Sequence, residues 1–179
     1  MNRDEFSSFL QEFQQETDRA AAVLAMAYID SKLEELLRSK FVSKHKIINN
    51  LFDGQGGLSS FSAKVSIAYA VGLISLLAAQ DLHVIRQIRN DFAHKSHGLS
   101  FQTASIANRV SALHSLKFLE KAVTSEGKPM PFDIVPTDPR KRFNLAVTFL
   151  LISGIETRIR EMPAFQEAQS VDKLILKEF

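Results

Sequence analysis

The chain of 179 residues contains no cysteine and no tryptophan, and it has only seven glycines and five prolines. Without cysteine it can form no disulfide, no thiolate zinc site and no thiol nucleophile, which suits a reducing cytoplasm. The scarcity of glycine and proline argues against a turn-rich β-sandwich and favours long regular elements. The length fits one domain with a core of its own.

Long hydrophobic runs are also missing. The three uncharged, mostly apolar stretches cover residues 20–29, 65–79 and 143–155, and the longest has 15 residues. A membrane-spanning helix needs about 20. The chain starts with acidic residues at Asp4 and Glu5, where a signal peptide would need an apolar core. We therefore expect a cytoplasmic protein with no membrane segment, in which the three stretches are buried core helices.

A marked excess of one charge is absent as well. The chain has 22 Lys+Arg against 20 Asp+Glu, a formal net charge of +2. Proteins that bind nucleic acid directly concentrate a larger basic surface or carry a groove-entering motif. Two small basic clusters occur, one formed by Lys40, Lys44 and Lys46 and the other by residues 140–142. No convincing helix-turn-helix accompanies them, so we predict that sequence-specific DNA binding is weak or absent.

Helical periodicity runs through nearly the whole chain. Apolar residues recur every three or four positions, and cap residues precede several of the segments. We predict an all-α, single-domain bundle of about seven helices within residues 1–179. They cover residues 3–15, 18–38, a short stretch after 43, 59–74, 75–93, 103–124 and 139–160. A proline-containing linker at 126–136 precedes the last helix, and a weakly amphipathic tail lies at 171–176.

The predicted helix at 75–93 and the residues just after it contain most of the candidate binding or catalytic residues. At about 100° per residue, its apolar residues fall on one side and its polar ones on another. The apolar side holds Val84, Ile85, Ile88 and Phe92, and the polar face holds His83, Arg86, Gln87, Asn90 and His94. The polar face is a candidate surface for an anion or a partner chain. Alternatively, it is a solvated helix end whose cations oppose the negative end of the macrodipole.

Residues 89–94 (RNDFAH) resemble the R-x4-H motif of HEPN domains, helical modules that include metal-independent ribonucleases. The resemblance implies that Arg89 would stabilise charge on a scissile phosphate while His94 moves protons, with Asn90 as the polar residue after the arginine. The R-x4–6-H pattern occurs three times in this chain. On a regular helix the two side chains lie about 140° apart. They meet only if the helix ends near Ala93 or if a second subunit completes the site.

Other kinds of chemistry have weaker signals. His94 and His97 have a spacing compatible with metal ligation, but no third ligand is fixed, and Asp91 is only a candidate. The G-x-S-x-G nucleophile elbow is absent. We predict no metal, no cofactor and no catalytic residue, apart from the ribonuclease alternative. In a third interpretation, the polar residues of 89–94 tie the helix end to the loop at Gly98.

Three stretches carry a further resemblance when they are taken together. They are DRAAAVLAMAYID at 18–30, GLSSFSAK at 57–64 leading into AYAVGLI at 68–74, and IRQIRNDFAH at 85–94. In this order and spacing they resemble the mannitol operon repressor family of bacteria. The resemblance implies an all-helical regulator that lowers expression of mannitol uptake and utilisation genes without a standard DNA-binding domain. Such a regulator is expected to act through protein partners, and homo-oligomerisation stays open.

Overall fold

The computed structural model describes residues 3–42, 45–95, 98–121 and 135–166, and within these ranges it contains helices and no strand. The all-α prediction is confirmed. In chain order the elements are α1 (Arg3–Gln15), α2 (Asp18–Lys40), α3 (His45–Phe52), α4 (Phe61–Ala70), α5 (Leu76–His94), α6 (Ala104–Ala112), α7 (His114–Glu120), α8 (Pro139–Phe149), a π-helical segment (Leu150–Glu156) and α9 (Thr157–Glu161). The tail at 171–176 and all of the linker before residue 135 lie outside the described residues.

Polar caps set the starts of four helices, as the sequence predicts. The side-chain oxygens of Thr17, Ser60, Ser75 and Asp138 each accept a hydrogen bond from a backbone N–H in the first turn that follows. Such caps satisfy donors that the helix itself leaves unpaired. Between α4 and α5 the chain turns at Gly72, whose φ of +75° lies in the left-handed region that glycine adopts without strain.

Two predicted helices differ from the structure in their interior. The helix expected at 103–124 is divided at Leu113, whose ψ of 128° is extended. The carboxylate of Asp81 accepts hydrogen bonds from the backbone N–H groups of His114 and Ser115, each at 2.8 Å, so it caps α7 from another helix. Because Asp81 lies 33 residues before His114, this cap leaves no local sequence signal.

The helix expected at 139–160 is continuous, but its turns widen into the π-helical segment.

Helix α2 lies at the centre of the fold and contacts α1, α4, α5, the π-helical segment and α9. Its first half buries small residues, which allow neighbouring helices to approach closely, and its second half buries larger ones. The buried apolar set is Ala21, Ala22, Ala25, Met26, Ile29, Leu33, Leu36 and Leu37. None of the described helices is long and apolar enough to cross a membrane.

Four phenylalanines form an aromatic cluster that joins α1, α5, the loop before α6 and α8. Phe101 in the loop lies between Phe92 of α5 and Phe143 of α8, with ring centroids 5.1 and 4.7 Å away. Phe13 of α1 meets Phe143 edge to face at 6.1 Å. All four side chains are fully buried, and such ring pairs add about 0.5–1.5 kcal/mol to the contribution of their buried area.

Arg140 connects this cluster to the polar ends of two helices. Its guanidinium donates to the carbonyl oxygen of Phe13 at 2.7 Å, to Asp18 Oδ1 at 3.2 Å and to Asn144 Oδ1 at 3.0 Å. The other oxygen of Asp18 accepts the backbone N–H of Phe101 at 2.8 Å. One side chain thus holds together the end of α1, the start of α2 and the first turn of α8.

Two buried lysines hold other helices to α2. Lys64 of α4 is only 4% exposed, and its Nζ lies 3.0 Å from Asp30 Oδ1 and 2.8 Å from Glu34 Oε2. Lys32 of α2 bridges Glu5 of α1 at 3.1 Å and Glu35 at 2.9 Å. Burial alone would lower the pKa of both lysines, but the hydrogen-bonded carboxylates outweigh it and raise each pKa above its ordinary value. Both lysines are therefore charged and paired in the fold.

We expect Arg140→Ala to lower the free energy of unfolding by about 2–4 kcal/mol, because it leaves three acceptors without their donor. Lys141→Ala is the matched control, since it removes the neighbouring, exposed cation of the same helical turn and should cost less than about 0.5 kcal/mol. Urea denaturation of both variants measures the difference. Equal losses in the two variants would contradict the role of Arg140.

Glu34 should make the stability depend on pH. Burial would raise the pKa of Glu34, but hydrogen bonds from Lys64 and Arg38 outweigh it and hold the pKa below its ordinary value. A carboxyl whose pKa falls on folding stabilises the protein above its unfolded pKa and loses that contribution as pH drops through the folded one. We expect the stability difference between the native chain and Glu34→Gln to shrink from neutral pH towards about pH 3. A difference that stays constant over this range in denaturant titrations would refute the assignment.

Candidate functional site

The predicted polar face lies on α5, and the structure orients that helix as expected. Ile85, Ile88 and Phe92 are buried, and Val84 is partly buried. The face comprises two exposed residues, Gln87 and His94, and three half-buried ones, His83, Arg86 and Asn90. We call these five residues the α5 polar face.

Part of the α5 polar face is occupied by a contact within the chain. Arg109 of α6 donates from Nη1 to Gln87 Oε1 at 2.5 Å, and its Nε lies 3.5 Å from Asp91 Oδ2. Sequence reasoning missed this arginine because α6 crosses α5 only in the folded chain. The Nε of Arg86 is buried and has no hydrogen-bond partner among the described residues. A polar group of this kind is expected to gain from a partner.

No hydrogen bond or ion pair joins Arg89 and His94 among the described residues, and α5 ends one residue after Ala93. The α-helix runs through His94 instead of ending at Ala93, so the separation of about 140° on a regular helix applies. Arg89 is half-buried and His94 is exposed. The ribonuclease alternative with Arg89, Asn90 and His94 stays a prediction.

A residue outside the predicted polar face stabilises the end of α5. Arg19 of α2 donates from Nη2 to the carbonyl oxygen of Lys95, the residue that caps α5. Within the described part of the chain, no three His, Asp or Glu side chains gather where they could hold a metal ion. His97 lies outside the described residues, so the suggested spacing of His94 and His97 is not tested.

A second candidate site, which sequence reasoning missed, lies at the opposite end of α5. It is a pocket of about 410 Å³ between the start of α5, α7, the end of α8 and the π-helical segment. Leu77 and Phe118 line it and are 52% and 63% exposed. The apolar run at 65–79 is predicted to be a buried core helix, but Tyr69, Leu76 and Leu77 are exposed. The run is divided between the end of α4 at Ala70 and the start of α5 at Leu76, and each helix has an exposed side.

Polar groups lie on one side of this pocket. The carboxylate of Asp81, 1% exposed, accepts from the backbone N–H groups of His114 and Ser115 and contacts His114 Nδ1 at 3.0 Å. Ser115 is buried, and its Oγ has no hydrogen-bond partner among the described residues. Arg158, which also lines the pocket, is exposed. The π-helical segment supplies Leu150, Ser153 and Gly154, and such segments occur frequently at functional sites.

Comparison with known proteins relates the whole helical region to one group of regulators. A family model described as MtlR, mannitol repressor, matches residues 8–161. No curated protein matches the chain. A solved structure, the X-ray structure of the MtlR–HPr complex from Escherichia coli, is similar with a TM-score of 0.65 and 20% sequence identity, over 83% of this chain and 96% of that chain. At this identity the likeness concerns the fold, and the roles of individual residues do not follow from it.

We expect Asp81→Asn to destabilise the fold by about 2–4 kcal/mol, since an amide NH₂ would face backbone N–H groups that now donate to a carboxylate. Asp91→Asn is the matched control, because Asp91 is on the same helix but makes only a part-exposed ion pair at 3.5 Å, and it should cost less than about 1 kcal/mol. Thermal and urea unfolding measure both variants. A cost for Asp81→Asn no larger than that for Asp91→Asn would show that α7 does not need this cap.

Proposed function

Because the chain belongs to the mannitol repressor family, we propose that it lowers the expression of genes for mannitol uptake and utilisation. The single observation that carries this proposal is the family match, which spans residues 8–161 and so includes nearly all of the described helices. The fold it shares with the MtlR of the MtlR–HPr complex supports the same function. We propose that the chain is a regulator without enzymatic activity and that it works in the cytoplasm, where the genes that it regulates are transcribed.

The regulator is proposed to act through a protein partner instead of through tight contacts to DNA. Its net charge is only +2, and several of its basic residues are used inside the fold. Arg142 pairs with Glu120 at 2.9 Å, and Lys40 donates to the carbonyl oxygens of Ile159 and Met162. Since charges engaged in this way are not free to contact phosphates, both basic clusters of the sequence offer less to DNA than their composition suggests.

HPr is the partner that we propose. The similar solved structure is that of a complex between MtlR and HPr, and the likeness in fold extends over most of both chains. For the contact surface we propose the α5 polar face. Arg109 forms a hydrogen bond with Gln87 of this face but with none of its other four residues.

Promoter DNA should not bind the pure chain tightly. We expect a fluorescence titration of mannitol-operon promoter DNA, at moderate salt, to show only weak binding that does not distinguish the promoter from an unrelated fragment of equal length. The physical reason is that the net charge of the chain is only +2, so it attracts the phosphates of DNA weakly. Nanomolar binding that is selective for the promoter would sink the partner-dependent mechanism.

Expression of the mannitol genes should rise when the gene for this chain is deleted and fall again when it is restored. We expect Asn90→Ala/His94→Ala to repress more weakly than the native chain, because it removes two side chains of the α5 polar face. Gln11→Ala/Gln15→Ala, two exposed residues on α1, is the matched control and should repress normally. A transcriptional reporter measures all four strains. Unchanged expression after the deletion would contradict the proposed function, and equal repression by the two variants would contradict the surface.

A further inference from the structure

We propose that the pocket at the start of α5 binds a small amphipathic organic anion, an arene or short alkyl chain that carries a carboxylate or sulfonate group. This site goes beyond the partner contact proposed above, since it lies at the other end of α5. Nothing in the repressor function requires it, and the chemistry of its lining residues alone selects the ligand.

The apolar walls set the body of the ligand. Phe118 and Phe149 stand side by side with ring centroids 5.8 Å apart, and Leu77 and Leu150 complete the lining around them. Phe118 and Leu77 are 63% and 52% exposed and line the same pocket, and exposed apolar residues that lie together mark binding sites. A volume of about 410 Å³ lies within the range of pockets that hold small organic ligands. An apolar group against these rings would remove their surface from water.

Two donors set the charge of the ligand. The guanidinium of Arg158 lines the pocket and is exposed, with no ion pair among the described residues. The hydroxyl of Ser115 is buried and unpartnered, so it can donate without giving up another bond. Both suit an acceptor group that carries a negative charge, and a carboxylate or sulfonate presents several such oxygens to an arginine.

The same residues argue against two other ligand classes. Asp81 is the one carboxylate among the described residues that line the pocket, but it is only 1% exposed and both of its oxygens already accept hydrogen bonds from His114 and Ser115, so little of its charge is available to a cation. A sugar alcohol would bury many hydroxyl groups against Leu77, Phe118 and Phe149, where few of them could be satisfied, and such burial is costly. Mannitol itself therefore does not fit this pocket.

Two fluorescent probes that differ in charge test the proposal on the full chain. Anilinonaphthalene sulfonate carries the anionic group, and phenylnaphthylamine is its uncharged counterpart. We expect both to bind saturably at one site per chain, the sulfonate about three- to fivefold more tightly, because a part-exposed arginine adds a modest ion pair. Binding that does not saturate, or equal affinity for the two probes, would overturn the proposal.

Variants locate the site and separate its two parts. Arg158→Gln should abolish the preference for the sulfonate, whereas Arg160→Gln, an exposed arginine of the same helix that does not line the pocket, should keep it.

Phe118→Ala should weaken the binding of both probes about tenfold. Ile47→Ala, which removes an equally exposed side chain far along the sequence, should weaken the binding of neither. A preference that survives Arg158→Gln, or an affinity that survives Phe118→Ala, would contradict the assignment. Circular dichroism of each variant verifies the fold, and the absence of HPr and DNA keeps this outcome separate from that of the proposed function.

Discussion

The burial of α2 on nearly every side is the constraint on which the rest of the structure depends. A helix of 23 residues that contacts five other elements must place its polar residues as carefully as its apolar ones, because an unpaired buried charge costs several kcal/mol. Lys32 therefore fixes α1 through Glu5, and Lys40 fixes the end of α9 through two carbonyl oxygens. In the same way Glu34 holds α4 through Lys64. The polar residues of α2 thus decide where its neighbours lie.

The helices themselves could be predicted from local signals, because periodicity and caps act within one or two turns. Thr17, Ser60, Ser75 and Asp138 lie directly before the helices that they cap. The breaks inside two predicted helices could not be predicted. The start of α7 depends on a carboxylate from α5, and the widened turns after Phe149 lie in an apolar stretch that reads as an ordinary helix. An interaction between distant segments decides the start of α7, and it leaves no periodic trace.

The candidate sites show the same division. The α5 polar face was predictable, since helical geometry alone groups its residues, and the structure adds that Arg109 holds Gln87. The pocket was not predictable, because its walls come from three segments that are distant in sequence, 74–81, 114–118 and 149–158. The outward position of Leu77 cannot be recognised in a run that is mostly apolar. Periodicity finds faces of single helices, whereas a cavity between helices becomes visible only when their packing is known.

Family and fold together describe a helical regulator with a net charge of only +2, and our central proposal is that it works by binding HPr. Isothermal titration calorimetry of the purified chain with HPr of the same organism tests this proposal most directly. The account predicts a saturable heat of binding with a defined stoichiometry. The absence of binding at about 100 μM, where even a weak specific interface forms a complex, would contradict it.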